Sequence, residues 1–386
     1  MRYHNSVLRD LLNYLPWRDF ERLVEEHDAD HRVRKLRTKD QLVALIFAQL
    51  SGISGLRGIT SGLGSQANAL YHLGARPVAR STLSDANTKR PAAVFTELFG
   101  ALVQRTGRGL RHKTGEAVRL IDATTLPLNK LSEDWSRLST KACGAKAHVV
   151  YDPHAERPVY FSVTAAKVAD VTAAKSMPIE PGATYVFDLG YYDFAWWAKL
   201  DQARCRIVTR LKKNTPLTVI KQRPLPKRAP AHLLSDRIGT LPARLAASRR
   251  NPMAKPVREI RLRNEAGKVL RILTNDLKSS AAKIADLYKQ RWDIELFFKW
   301  IKQNLKIKHF IGTTENAVRI QVAAALIAYL LLHTARAACR ITIRPLEFAW
   351  LVRLNLMQRR AIDRLKAPPD LSTPDRRQLA LAFSPC

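Results

Sequence analysis

The sequence predicts a mixed α/β protein: an all-α N-terminal domain (1-95), a strand-rich central domain (96-315) interrupted by a basic β-rich insertion (211-278), and a helical C-terminal region (316-386). Three observations carry this. Apolar residues recur at helical spacing before residue 95 and again after residue 316, whereas short runs rich in Val, Ile, Tyr and Phe recur between Glu116 and Arg210. Between Leu211 and Lys278 stand seven prolines, Pro216, Pro224, Pro226, Pro230, Pro242, Pro252 and Pro256, which break any long element. A chain of 386 residues with 46% hydrophobic content can bury a sizeable core in two or three domains.

Taken in order, Val7 to Leu15, Phe20 to Glu26, Lys39 to Leu50 and Gly55 to Leu63 read as helices. A further helix begins sharply at Ser81, in a run of capping residues. That short helix would present Thr82, Ser84, Asn87, Lys89 and Arg90, with Arg80 before it, to a groove or to phosphates. Ala117 to Asp122 is a strand ending in a carboxylate, followed by a turn. Lys146 to Asp152 and Pro158 to Thr164 form a hairpin, Thr184 to Asp188 a fourth strand, Tyr191 to Ala203 a helix, and Arg206 to Arg210 a fifth strand. Three strands, a crossover, a strand, a helix and a strand is the ribonuclease-H-like order. In it the first and fourth strands are neighbours, which would bring Asp122 and Asp188 together.

In the insertion, Val257 to Arg263 and Val269 to Thr274 alternate at period two around Asn264-Glu265-Ala266-Gly267, a β-hairpin pattern. From Arg204 to Lys278 there are 20 Lys and Arg against 4 Asp and Glu, net +16, half of the chain's formal +32. Such one-signed charge points to a polyanion, and nucleic acid is favoured over a membrane because basic residues spread along the whole chain. The most apolar window, Val322 to Leu332, is 11 residues, too short to span a bilayer, so it reads as a buried helix of a cytoplasmic protein. Cys143, Cys205, Cys339 and Cys386 lie far apart, supporting neither a disulfide framework nor a zinc finger.

Ala281 to Lys308 reads as one long amphipathic helix, with Leu287, Ile294, Phe298, Ile301 and Leu305 in a stripe about 60° wide. Tyr288, Arg291, Glu295 and Lys302 share the edge beside it, where a carboxylate could bind a metal ion and its neighbours could hold phosphates. Asp286 and Asp293 fall nearly opposite and would face solvent, Asp193 suits a helix first turn, and Asp152 a hairpin turn.

The spacing Tyr288-x2-Arg291-x3-Glu295-x6-Lys302 resembles the signature of bacterial insertion-sequence transposases. The resemblance extends to the run from Arg80 to Asn87, to I-D-A-T-T-L from Ile121, and to F-D-L-G-Y-Y-D from Phe187. It implies a catalytic Asp-Asp-Glu triad of Asp122, Asp188 and Glu295 holding two Mg2+ ions, with Mn2+ as a substitute. Tyr288, Arg291 and Lys302 would hold phosphates near the transposon end, with Arg210, Lys212, Lys213, Arg80, Lys89 and Arg90 as further DNA contacts. It also implies binding of transposon ends and target DNA, a homodimeric paired-end complex, cut-and-paste movement and a nucleoid-associated place in the cytoplasm. One departure stands out. Leu211 to Lys278 holds no Trp, Tyr or Phe to receive a flipped base, which counts against a hairpin-forming cleavage route. A nuclease or resolvase without strand transfer, or an inactive DNA-binding descendant, are the alternatives.

Overall fold

The computed structural model describes residues 5–107, 116–140, 142–225, 230–246, 249–305, 307 and 309–368. Seven helices open it: α1 (Val7–Leu12), α2 (Trp17–Glu26), α3 (Thr38–Ser51), α4 (Leu56–Gly64), α5 (Ala67–Leu73), α6 (Arg80–Lys89) and α7 (Ala92–Gly107). Of these α5 and α7 are additional to those expected from the sequence, and α7 carries the helical part past residue 95. In α3 every side chain from Gln41 to Leu50 is buried, and Gly52, in the left-handed region at φ 80°, ends the helix at no Cβ cost.

The chain then forms β1 (Val118–Leu128), a short α8 (Glu133–Ser136), β2 (Cys143–Asp152), β3 (Arg157–Ala165), α9 (Asp170–Lys175), β4 (Thr184–Val186), α10 (Phe194–Gln202) and β5 (Arg206–Arg210). The turn expected after Asp122 is absent, because β1 continues to Leu128 in antiparallel register with β2. The insertion supplies β6 (Thr218–Arg223), β7 (Leu233–Thr240), β8 (Arg244–Ala246), β9 (Arg249–Arg250), β10 (Val257–Arg263) and β11 (Val269–Thr274). The β10–β11 hairpin turns at Asn264 to Gly267 as its pattern indicated, with Gly267 at φ 75°.

The insertion is no separate layer. The main sheet has nine strands in the order β3-β2-β1-β4-β5-β11-β10-β7-β6, so β11 docks antiparallel on β5 and extends the central sheet. Its exposed strand edge at β5 would otherwise leave backbone groups unpaired.

Residues 281–308, read as one helix, are two: α11 (Ala281–Lys289) and α12 (Arg291–Asn304). At the join, Asp293 N–H donates to the Gln290 carbonyl, a tighter three-residue bond in place of the four-residue one. Finally α13 (Glu315–Ala338) and α14 (Pro345–Asn355) close the fold. At 24 residues α13 is long and apolar enough to cross a membrane by length and composition, so the 11-residue argument does not hold. Burial supplies the reason for its composition instead, since 78% of its apolar window lies inside the protein. It packs on α1, α3, α6 and α7, and Asn316 at its start donates to the Arg90 carbonyl at 2.7 Å. The two helical ends of the chain thus share one core.

Candidate active site

The site begins with strand register. β1, β4 and β5 run parallel, with Leu120 beside Val186 and Val186 beside Val208. Two residues further along each chain, beyond these pairs, stand Asp122, Asp188 and Arg210. Phe187 N–H donates to the Val208 carbonyl at 3.2 Å, which continues the pairing past the end of β4. Asp188 then caps a 3-10 turn, Leu189–Tyr191, its Oδ1 accepting Gly190 N–H at 2.7 Å. A cap and a site carboxylate are compatible roles, because the other oxygen remains available.

Leu120, Val186 and Val208 belong to the same buried core as Leu287, Tyr288, Ile294, Phe298 and Ile301. That packing sets α11 and α12 on the face carrying the acids, and the join at Gln290 sits among the signature residues. Arg291 reaches across with Nη1 3.6 Å from Asp122 Oδ2 and Nη2 2.6 Å from Glu295 Oε1. One guanidinium therefore stands between two carboxylates from different elements. Tyr288 is buried and within hydrogen-bonding reach of Arg210 and Arg291. Lys302 is half-buried, two turns beyond Glu295 on α12.

The electrostatics are unbalanced in a definite direction. Burial pushes the Asp122 carboxyl up to about 6; the Ala123 N–H and Arg291 oppose this, and the charges of Asp188 and Glu295 add to it. Burial likewise raises Tyr288, against the pull of Arg291 and Arg210.

Lys212 and Lys213 are exposed in the loop after β5. The Lys212 ammonium lies 4.4 Å over the Tyr192 ring, and Arg271 Nη1 donates to the carbonyls of Lys212, Lys213 and Thr215 at 2.9 Å each. On α6, Arg80 and Lys89 are exposed, and this helix packs on α3, α4 and α13. Arg90 is a correction. It is buried, its guanidinium bound to the Leu36 carbonyl, Gln41 Oε1 at 3.4 Å and Asp30 at 3.8 Å, so it anchors the helical core and cannot meet phosphates. Asn87 is buried too, accepting from Gln41 at 2.8 Å.

The competing acids have structural partners. Asp193 caps α10 and pairs with Lys175, Asp152 closes the β2–β3 turn and pairs with Arg119, and Asp286 is exposed. Asp293, expected in solvent, is half-buried instead, with its carboxyl raised by burial and by Glu156.

Sequence reasoning passed over Asp170. A Cβ on Gly190 would lie 3.1 Å from Asp170 Oδ2 and 3.3 Å from Asp188 Oδ1, so glycine lets the turn pass between two carboxylates. Asp170 is paired with Lys146 at 2.9 Å, and the fully buried His148 lies 4.0 Å from it. The signal available was an acid opening a short helix in the Ala- and Asp-rich segment before β4. Its proximity to Asp188 was not local information.

Among the described residues, no group of three or more His, Cys, Asp or Glu stands close enough as it is to hold a metal ion. The donor set still suits a hard divalent cation: carboxylate oxygens only, one of them raised by burial and by the neighbouring acids, with Arg291 standing between two of them. The residues fit the group, provided Arg291 withdraws.

The class these features define is an α/β enzyme of phosphoryl transfer, with carboxylates and cations gathered where parallel strands end. Residues 113–331 match the family described as Transposase DDE domain, and residues 3–76 match a second family, described as a domain of unknown function. A transposase of Sinorhizobium fredii is 42% identical over 295 residues, 76% of this chain and 82% of the relative. An insertion-sequence transposase of Geobacillus stearothermophilus is 29% identical over 263 residues, 66% of each chain. A solved piggyBac transposase synaptic complex with hairpin DNA is similar at TM-score 0.48 and 10% identity, over 97% of this chain and 84% of that one. The chain belongs to the DDE transposase family. It is a DNA transposase, an enzyme that cleaves DNA and joins strands, in a family that uses divalent metal ions.

Proposed function

We propose that Asp122, Asp188 and Glu295 are the catalytic triad of a ribonuclease-H-like core and hold two Mg2+ ions, for which Mn2+ substitutes. The observation that supports this is that Asp122 and Asp188 each stand two residues beyond the paired Leu120 and Val186 of adjacent parallel strands, with Arg291 between Asp122 and Glu295. When bound, such ions activate a water or 3′-hydroxyl and stabilise the leaving oxygen of an in-line phosphodiester attack. The protein's own residues do the rest. Tyr288, Arg291 and Lys302 hold phosphates near the transposon end, and Arg210, Lys212 and Lys213 extend that grip along the strand. Arg80 and Lys89 contact DNA from the helical N-terminal domain. The protein acts by cut-and-paste in a paired-end homodimer on chromosomal DNA.

The test is a strand-transfer assay with Mg2+, a labelled duplex carrying the ends of the element around the gene, and a supercoiled target. Joined product is expected from the wild type and none from Asp188→Ala. Cleavage without joining would favour a nuclease, and an active Asp188→Ala would overturn the triad.

A further inference from the structure

The Asp188 carboxylate is tied at one oxygen, Oδ1, which accepts the Gly190 N–H at 2.7 Å. The last torsion of an aspartate is broad and two-fold, so the direction of the other oxygen depends on where that N–H points. Glycine leaves its own peptide unusually free to swing. A group outside the turn is needed to hold it, and Asp170 is in place to do so. It opens α9, and that helix packs on the 3-10 turn. A Cβ on Gly190 would lie 3.1 Å from Asp170 Oδ2 and 3.8 Å from Asp170 Cβ, so the acid packs directly on the glycine; the same point is 3.3 Å from Asp188 Oδ1. Two like charges this close repel unless a cation offsets them. Lys146 of β2 is that cation, its Nζ 2.9 Å from Asp170 Oδ1 and 3.0 Å from the Val168 carbonyl. Fully buried His148 lies 4.0 Å from the same carboxylate oxygen, with its Nε2 2.8 Å from Thr164 Oγ1. Asp170 is thus latched at one oxygen and leans on Gly190 with the other.

We infer that Asp170 is a positioning residue for Asp188: latched by Lys146, it braces the Gly190 turn and so aims the Asp188 oxygen that the Gly190 N–H leaves free. The inference rests on the reading of Asp188 as a metal holder. Asp170 acts through the turn and itself touches neither metal nor DNA. Groups that orient a ligand in this indirect way contribute about 10- to 100-fold in metal affinity.

The experiment measures Mn2+ affinity by electron paramagnetic resonance in full-length wild type, Asp170→Ala, Asp170→Asn, Gly190→Ala, the double variant of Asp170→Ala with Gly190→Ala, and Asp188→Ala, with the thermal midpoint of each metal-free protein. Asp170→Ala is expected to lose roughly tenfold in affinity. Asp170→Asn, which keeps the shape and an oxygen for Lys146, should stay close to the wild type. Gly190→Ala should weaken binding more where Asp170 is present than where it is absent, because the new methyl meets Asp170 Oδ2 at 3.1 Å. Unchanged affinity in Asp170→Ala, an equal loss in Asp170→Asn, or additive losses in the double variant would overturn the brace and leave the triad standing. Wild-type affinity in Asp188→Ala would overturn the triad assignment itself. A second measurement needs no metal. Hydrogen exchange at the Gly190 amide should be faster in Asp170→Ala than in the wild type or Asp170→Asn; equal exchange would overturn the inference. Should Asp170→Ala not fold, Lys146→Met, which frees the latch and leaves Asp170 in place, takes its role in both measurements.

Discussion

Two groups of acids lie in or against one nine-stranded sheet, and they are built in opposite ways. In the half contributed by the insertion, the buried Asp236 and Glu259 are each outnumbered by arginines. Glu259, wholly buried, meets Arg237, Arg261 and Arg271, and Asp236 takes a bidentate grip from Arg258 at 2.7 Å on both oxygens, with Arg223 nearby. These arginines hold the Glu259 carboxyl below its ordinary range despite burial. In the other half Asp122, Asp188 and Glu295 meet one another's charges, and Asp122 is pushed up instead. The same residue types thus serve as a closed framework in one place and as a site where acids oppose one another in the other. The contrast also revises the meaning of the insertion's net +16. Arg206, Arg223, Arg237, Arg258, Arg261 and Arg271 are engaged inside the protein, which leaves Lys212, Lys213, Lys221, Arg263 and Lys268 among the exposed cations.

Removing an acid from each group should separate the two roles most strongly. Glu295→Gln is expected to lower strand transfer by about 10³-fold or more, some 4 kcal/mol of barrier. Its metal-free midpoint should change little, since the lost pair with Arg291 is offset by the loss of a like charge beside Asp122. Glu259→Gln should do the reverse: a loss of about 3–5 kcal/mol in denaturant unfolding, because arginines are left unpaired in the interior. A stability loss in the first variant or none in the second would break the comparison.

A pH series sharpens it. Burial holds His148 down at about 4, Asp170 opposing and Lys146 assisting, so the folded protein keeps this ring neutral while the unfolded chain takes up a proton near 6.5. Stability is therefore lost as pH falls from about 6.5 to about 4, by up to about 3 kcal/mol. Asp122 works in the opposite sense: its folded value near 6 lies above the ordinary 3.8, so its contribution is present at low pH and lost as pH rises through 6. Urea unfolding of His148→Gln between pH 4 and 7 should show a flatter acid limb than the wild type. Smallest is the effect of Lys212→Ala, expected to leave stability within about 0.5 kcal/mol and to reduce the salt slope of DNA binding by about one.

Much of this was legible in the sequence because it is local. Period-two runs marked β1 to β5 and the β10–β11 hairpin, and the spacing from Tyr288 to Lys302 marked one helical edge. Strand order went further and made Asp122 and Asp188 neighbours. What could not be read depends on packing between distant segments. Arg90 looks like a surface cation until α3 supplies Gln41 and the Leu36 carbonyl closes over it. Nothing near Asp170 in the chain announces that it meets the Gly190 turn. The union of β11 with β5 is likewise a tertiary event, and it lets Arg271 hold the backbone on which Lys212 and Lys213 stand.

The most direct test is anomalous diffraction at the manganese edge from crystals soaked in Mn2+. Peaks among Asp122, Asp188 and Glu295, with Arg291 swung off Asp122, are the expected result. Peaks at other acids, with Arg291 still bridging Asp122 and Glu295, would contradict the assignment of the catalytic centre.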